Sequence, residues 1–182
     1  MRLLTTVDKR LVLDMGKWLQ VENHTVGFPD GKEVKDWPWL ISPSYVIVFA
    51  QRDDGKFLCF RQPKYGIEGI GIAPVGGYLE PEEDPLAAAR RELLEETGCE
   101  ADEWVTLGKY VNDGNHGAGY AYLFLAKRAR RIADPIGEDL EEQEHITLSE
   151  QELRIALDGG EFQVLAWATG AALTLLHIAM NQ

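Results

Sequence analysis

Between Gly77 and Cys99 the chain reads GYLEPEEDPLAAARRELLEETGC, and the architecture is decided there. Asp84 is a good helix N-cap, Pro85 suits the first helical position, and Gly98 stands where a C-cap glycine ends the turn pattern. The stretch between them therefore predicts a short helix with defined ends. Glu92, Glu95 and Glu96 are spaced i, i+3 and i+4, which puts three carboxylates in one narrow arc of that helix. Leu86, Ala89 and Leu93 border the arc on one side, with Ala87 and Leu94 on the other, so the acidic stripe is expected to lie beside surface that packs into a core.

Like charges at this spacing repel by about 0.2–0.5 kcal/mol per pair, and a divalent cation is the natural partner that offsets the crowding. Carboxylate oxygens suit hard ions, and magnesium in particular binds one or two carboxylates together with substrate phosphates and water. Arg91 precedes Glu95 by one helical turn and is placed to pair with it. The competing interpretation, a solvated acidic helix face, does not explain the Gly76-Gly77 turn and Arg91 at these offsets.

At 182 residues the chain is long enough for one domain with a proper core and a small extension. A net charge of -12 argues against a nucleic-acid surface. It does not exclude a phosphorylated substrate, because bound cations reverse the local field. The basic cluster Lys127, Arg128, Arg130 and Arg131 is expected to be a solvated loop after a strand. Cys59 and Cys99 sit in apolar runs, with no disulfide framework or metal spacing, and point to a reducing compartment. The first residues lack the apolar run of a secretory signal, so the expected location is cytoplasmic. The uncharged stretch 162–180 approaches membrane-spanning length. Gln163, Thr169, Gly170, Thr174 and His177 interrupt it, and it is expected to be a packed terminal helix with no membrane association.

Strands are expected first. Trp18 to Val26 followed by Pro29-Asp30-Gly31 signals a hairpin, and Tyr45 to Ala50 with Phe57 to Phe60 around Asp53-Asp54-Gly55 signals another. Further strands are predicted near Val105 to Val111, Tyr120 to Ala126 and His145 to Leu148. Ser149 and Glu152 form a capping-box pattern opening a helix that Asp158-Gly159-Gly160 closes. Mixed strands with helices set against them give an α+β or α/β sandwich.

The acidic stretch also resembles a known family signature. Gly77, Glu83 and Arg91-Glu92-Leu93-x-Glu95-Glu96-x-Gly98 match the Nudix box at every position but the last, where Cys99 replaces an aliphatic residue. Outside the box, Pro29-Asp30-Gly31, Arg61-Gln62, the approach Ile72-Ala73-Pro74-Val75-Gly76-Gly77 and the late Gly160-Glu161-Phe162 resemble the ADP-ribose and nucleotide-sugar pyrophosphatase branch. The chain departs from that branch at Ala73, where a glutamate often stands, and at Gly114-Asn115-His116-Gly117, where a proline is usual.

The resemblance implies an α+β fold, an α/β/α sandwich with the box helix on the sheet. It implies residues 1–43 as an N-terminal β extension that dimerises and residues 44–182 as the hydrolase domain. The implied reaction is hydrolysis of the diphosphate bond of a nucleoside diphosphate joined to another moiety, ADP-ribose or a nucleotide sugar, giving two monophosphates. The implied cofactor is magnesium, with manganese as the alternative, and the implied assembly is a homodimer. The Gly76 carbonyl, Glu92, Glu95 and Glu96 become the metal-ligand set, and Glu92, Glu95, Arg91 and a loop acid the catalytic group. Counting back from Leu148 and Ser149 favours Glu141 as that acid, with Glu142 and Glu144 as other registers. Arg61 and Gly77 are expected at the substrate. Trp37, Trp39 and Tyr45 could stack on a base, with Trp39 the chosen candidate, although Trp37-Pro38-Trp39 reads equally as interface packing. The alternative function is a silent Nudix-fold nucleotide-binding module, which typically loses one or more box glutamates.

Overall fold

The computed structural model describes residues 3–136 and 142–181. In chain order they form β1 (Thr5–Asp14), β2 (Gln20–Gly27), β3 (Glu33–Ile41), β4 (Tyr45–Arg52), β5 (Phe57–Pro63), β6 (Ile70–Ala73), β7 (Val75–Tyr78), α1 (Pro85–Thr97), β8 (Cys99–Glu100), β9 (Glu103–Asp113), β10 (Gly117–Arg131), β11 (Glu144–Leu148), α2 (Glu150–Asp158) and α3 (Leu165–Met180). The chain resolves into two compact units. One draws on Met1–Ser44 and Tyr110–Ala121, the other on Tyr45–Lys109 and Tyr122–Gln182.

The first unit is an antiparallel ribbon in which β1 pairs with β2 and β2 with β3, the last two turning around Pro29-Asp30-Gly31 as its proline and glycine require. Leu40 of β3 meets Gly117 of β10 in a parallel bridge. β1 lies outside the expected strands, and all of its residues are exposed, including Val7, Leu11, Val12 and Leu13.

The second unit holds the core. Val46 to Ala50 of β4 are all buried, so both faces of that strand are covered, since successive side chains point to opposite sides. α1 and α3 both pack on β4. Gly170 of α3 lets the helix approach the Phe49 ring, which also meets Phe162 at 5.9 Å. β4 pairs with β7, β5 with β6 and β11, and α2 packs on α3 and β11. No helix among the described residues is long and apolar enough to cross a membrane, and within 162–180 the residues Leu165–Met180 form α3.

Two local readings differ from the sequence. Lys127 to Arg131 are not a loop but the end of β10, where Arg130 and Arg131 pair with Glu100 and Cys99 of β8; Arg128, Arg130 and Arg131 are exposed, and Arg128 and Arg130 pair with Asp102, Arg128 with Glu103 and Arg131 with Asp134. The β8 partners lie far back along the chain, so composition alone suggested a loop, while the expected solvation of the arginines holds. On α1, Ala88 rather than Ala87 joins Ala89 and Leu93 in the core, and Ala87 is exposed.

Candidate active site

The site is built on α1 and the strand before it. The Asp84 carboxylate accepts from the backbone N–H of Leu86 and Ala87 at 3.0 and 3.1 Å, which fixes where the helix starts. Gly98 ends it in the left-handed region at φ 67°, where any side chain would run into the Ala133 carbonyl. Between those caps, buried Ala88, Ala89, Leu93 and Thr97 hold one face against the sheet and turn the acidic arc toward β7.

β7 brings Gly76 and Gly77 to that arc. The Gly76 N–H donates to Glu96 Oε2 at 3.0 Å, and a Cβ at Gly77 would fall on the Glu92 carboxylate. A side chain at position 77 would thus displace the Glu92 carboxylate from the place it holds here. Gly77 also lines the adjoining cavity.

Arg91 organises the remaining carboxylates. Its Nε and Nη2 grip Glu83 in a fork, both at 2.9 Å. Its Nη1 donates to Glu92 Oε1 at 2.7 Å and to Glu95 Oε2 at 3.0 Å, and Nη2 also reaches the Tyr78 carbonyl at 3.1 Å. The expected Arg91–Glu95 contact is present, but the fork goes to Glu83, a partner the helical spacing did not reveal because it precedes the helix. The box spacing that includes Glu83 was the available signal.

The electrostatics divide these acids. Arg91 holds the Glu83 carboxyl below the ordinary glutamate range, chiefly by its hydrogen bonds. Burial pushes Glu92 above that range despite the Arg91 contact. Arg91 itself is raised by hydrogen bonding to Glu83 and stays charged.

Glu96, Gly76 and Gly77 open on a cavity of about 320 Å³, which Tyr45, Gln62, Lys64, Pro74, Tyr78, Val164 and Trp167 also line. Tyr45 and Tyr78 meet edge to face at 6.4 Å. Arg61 does not line this cavity. It faces Glu161 at 3.4 Å, while its neighbour Gln62, on the opposite side of β5, is buried in the wall. Gln62, Lys64, Tyr78 and Trp167 were not singled out from sequence as site residues. The strand alternation at Arg61-Gln62 was the one clue.

Trp39 belongs to the first unit, where its ring stacks on His24 at 5.5 Å. Trp37 in the same strand donates to the Asn115 carbonyl at 2.7 Å. Glu141 lies outside the described residues. Glu142 is exposed, and Glu144 opens β11 opposite Arg61.

Among the described residues, no three acidic, histidine or cysteine side chains converge as a ready cation cage. Glu92 and Glu95 face Arg91, and Glu96 faces the Gly76 N–H. The donor set still fits a hard ion in kind. All three are oxygen ligands on one helix face, and each carboxylate has more lone pairs than these contacts use.

A model of the NUDIX domain matches residues 42–168. The chain is 28% identical over 142 residues to the ADP-ribose pyrophosphatase of Bacillus subtilis (strain 168), an alignment covering 78% of this chain and 75% of that protein. It is equally similar, at 28% over 142 residues with the same coverage, to the methanol dehydrogenase activator of Bacillus methanolicus. Among solved structures, that of an ADP compounds hydrolase superposes with a TM-score of 0.83 at 17% identity, over 100% of this chain and 97% of that one, which establishes a shared fold.

Proposed function

We propose that this chain, which belongs to the Nudix hydrolase family, hydrolyses the diphosphate bond of ADP-ribose or a nucleotide sugar with bound magnesium, releasing two monophosphates. The observation that carries this reading is the union of Glu92, Glu95 and Glu96 on one face of α1 with the Gly76-Gly77 backbone beside a cavity. The similarity to an ADP-ribose pyrophosphatase supports the choice of substrate class. The retained glutamates speak against a silent binding module.

Glu92, Glu95, Glu96 and the Gly76 carbonyl are the groups assigned to the ion. When bound, magnesium neutralises the diphosphate and makes water a better nucleophile. Arg91 orients Glu92 and Glu95 from one side, so that their free oxygens are presented without rotamer search. Glu83 anchors Arg91 in turn. Tyr45, Tyr78 and Trp167 form walls that shed water from the reacting bond and offer faces to a base or sugar. Lys64 supplies positive charge for the diphosphate at the same cavity. The proton acceptor is assigned to Glu141, with Glu142, Glu144 or a box glutamate as the alternatives.

We also assign residues 1–43 to a homodimer contact. In the first unit, β1 is exposed along its whole length and carries Val7, Leu11 and Val12, a composition unusual for an unprotected edge. The reducing, cytoplasmic location rests on two buried and unbridged cysteines.

The test is a panel of ADP-ribose, nucleotide sugars, dinucleoside polyphosphates and nucleoside triphosphates with magnesium, with products separated by chromatography. AMP and ribose 5-phosphate from ADP-ribose, or the analogous pair from a nucleotide sugar, are expected. Exclusive cleavage of triphosphates would overturn the substrate class.

A further inference from the structure

Helix α3 is apolar on the side it buries and also on the side it shows. Trp167, Gly170, Ala171, Thr174 and Leu175 are buried, and the helix packs on β4 and α2. Its outer side is formed by Leu165, Thr169, Ala172, Leu176 and Ala179, with Met180 next to the last. Leu165, Leu176 and Met180 are 78%, 54% and 75% exposed. The Thr169 hydroxyl donates to the Leu165 carbonyl at 2.7 Å, so its polar atom is used within the helix. No charged residue occurs anywhere from Phe162 to Met180, whereas the neighbouring α2 shows Glu152, Arg154 and Asp158 to solvent. A helix that is apolar all round is normally covered all round.

The outer positions 165, 169, 172, 176 and 179 step by four and three residues in alternation, the spacing of a coiled-coil seam. The seam is self-complementary when reversed. About a two-fold axis through Ala172, an antiparallel copy sets Leu165 against Ala179 and Leu176 against Thr169, a larger side chain against a smaller one each time, and Ala172 against itself. Charge narrows the occupant further. Chains of net charge -12 repel one another, and a face without carboxylates is where a second copy docks without adding to that repulsion. A foreign protein would be selected by complementary charges, and an anionic membrane by lysines and arginines flanking the apolar face, and α3 carries neither.

We propose that the outer face of α3 is an interface between copies of this chain, in which two α3 helices pair antiparallel with Ala172 on the two-fold axis. The contact is separate from the one assigned to β1 and does not depend on the proposed reaction. With both contacts made, the closed assembly is a tetramer, and either contact alone gives a dimer.

The experiment is sedimentation velocity on the whole chain across a range of protein concentrations, with wild type, Ala172→Glu, Ala172→Lys and an equal mixture of the two variants. Ala172 is exposed, and glutamate and lysine are good helix formers, so circular dichroism is expected to show the wild-type fold in both. On a two-fold axis each substituted side chain meets its own charge. Each variant alone is therefore expected to sediment at about half the wild-type mass, and the mixture to recover the full mass because glutamate then faces lysine. That recovery is a readout that misfolding of a single variant does not imitate. Wild-type mass in either variant alone, or a mixture that stays at half mass, would overturn the proposal. Wild-type protein that is monomeric at every concentration overturns it too, whatever the variants do. Val12→Glu in β1 separates the two contacts. A wild-type dimer that Ala172→Glu dissociates and Val12→Glu leaves intact keeps this proposal and defeats the β1 assignment, and the reverse result keeps the β1 assignment and defeats this proposal.

Discussion

Helices α1 and α2 differ in how they carry acids in the first turn. In α2, Glu150 and Glu152 occupy the first turn, where the exposed N–H groups and the helix dipole favour negative charge, and Ser149 with Glu152 closes a reciprocal capping box. In α1 the first turn has no acid. Glu95 and Glu96 stand in the last turn with Glu92 one turn earlier, and no basic residue balances them there. That placement opposes the dipole and crowds three carboxylates. Glu150 and Glu152 of α2 therefore serve the helix that bears them, whereas Glu92, Glu95 and Glu96 of α1 are held against its interest by Arg91 and by the Gly76 N–H. Residues kept where they cost stability mark the place where function is to be sought.

Exchanging charge for shape breaks this comparison most forcefully. Glu96→Gln and Glu92→Gln should each reduce turnover to below about a tenth of the wild type at saturating magnesium, while circular dichroism shows the fold intact. Residual rates above that level would remove these residues from the cation site.

Arg91→Met should come next. It strands the Glu83 and Glu92 carboxylates together and is expected to cost about 1–3 kcal/mol in denaturant unfolding of the metal-free protein. Magnesium should restore part of the loss by taking over the charge of Glu92 and Glu95. No loss would show that Arg91 is not the organiser of the site.

Ser149→Ala on α2 supplies the contrast. Loss of the cap should cost about 1 kcal/mol, with kcat unchanged. A fall in kcat beyond the unfolded fraction would mean that α2 is not a purely structural helix.

The smallest effects concern pH, and they have opposite signs. The Glu152 carboxyl is lowered by its hydrogen bonds to the Ser149 backbone and hydroxyl, so its contribution to stability is present above the ordinary glutamate value of 4.5 and is lost as pH falls through the folded value. Glu92 is raised by burial, so it leaves stability untouched below 4.5 and subtracts from it as pH rises through its folded value. Urea titrations from acid to neutral pH should therefore show Glu152→Gln becoming increasingly costly and Glu92→Gln increasingly favourable without metal. Parallel curves would deny the contrast between the helices.

What was legible in the chain follows the reach of the interactions. α1 was readable because Asp84, Pro85 and Gly98 act within a turn of themselves, and the acidic arc because helical spacing is local. β4, β5 and α2 were readable for the same reason. The grip of Arg91 on Glu83 was not, since it crosses from the helix to the loop before it. The end of β10 was hidden because Arg130 and Arg131 pair with Glu100 and Cys99 of β8, far back along the chain. Gln62 was quoted only as part of a motif. Its place in the cavity wall is a product of packing.

The account turns on whether the acids of α1 exist to hold a cation, and the Tm as a function of magnesium concentration asks this most directly. A ligand that binds only the folded state raises stability with the logarithm of its concentration once it exceeds Kd. The wild type should show that rise and an excess of chelator should reverse it, Ser149→Ala should show the same rise from a lower start, and Glu92→Gln and Glu96→Gln should show little or none. A wild-type Tm indifferent to magnesium, or an equal rise in Glu92→Gln and Glu96→Gln, would contradict it.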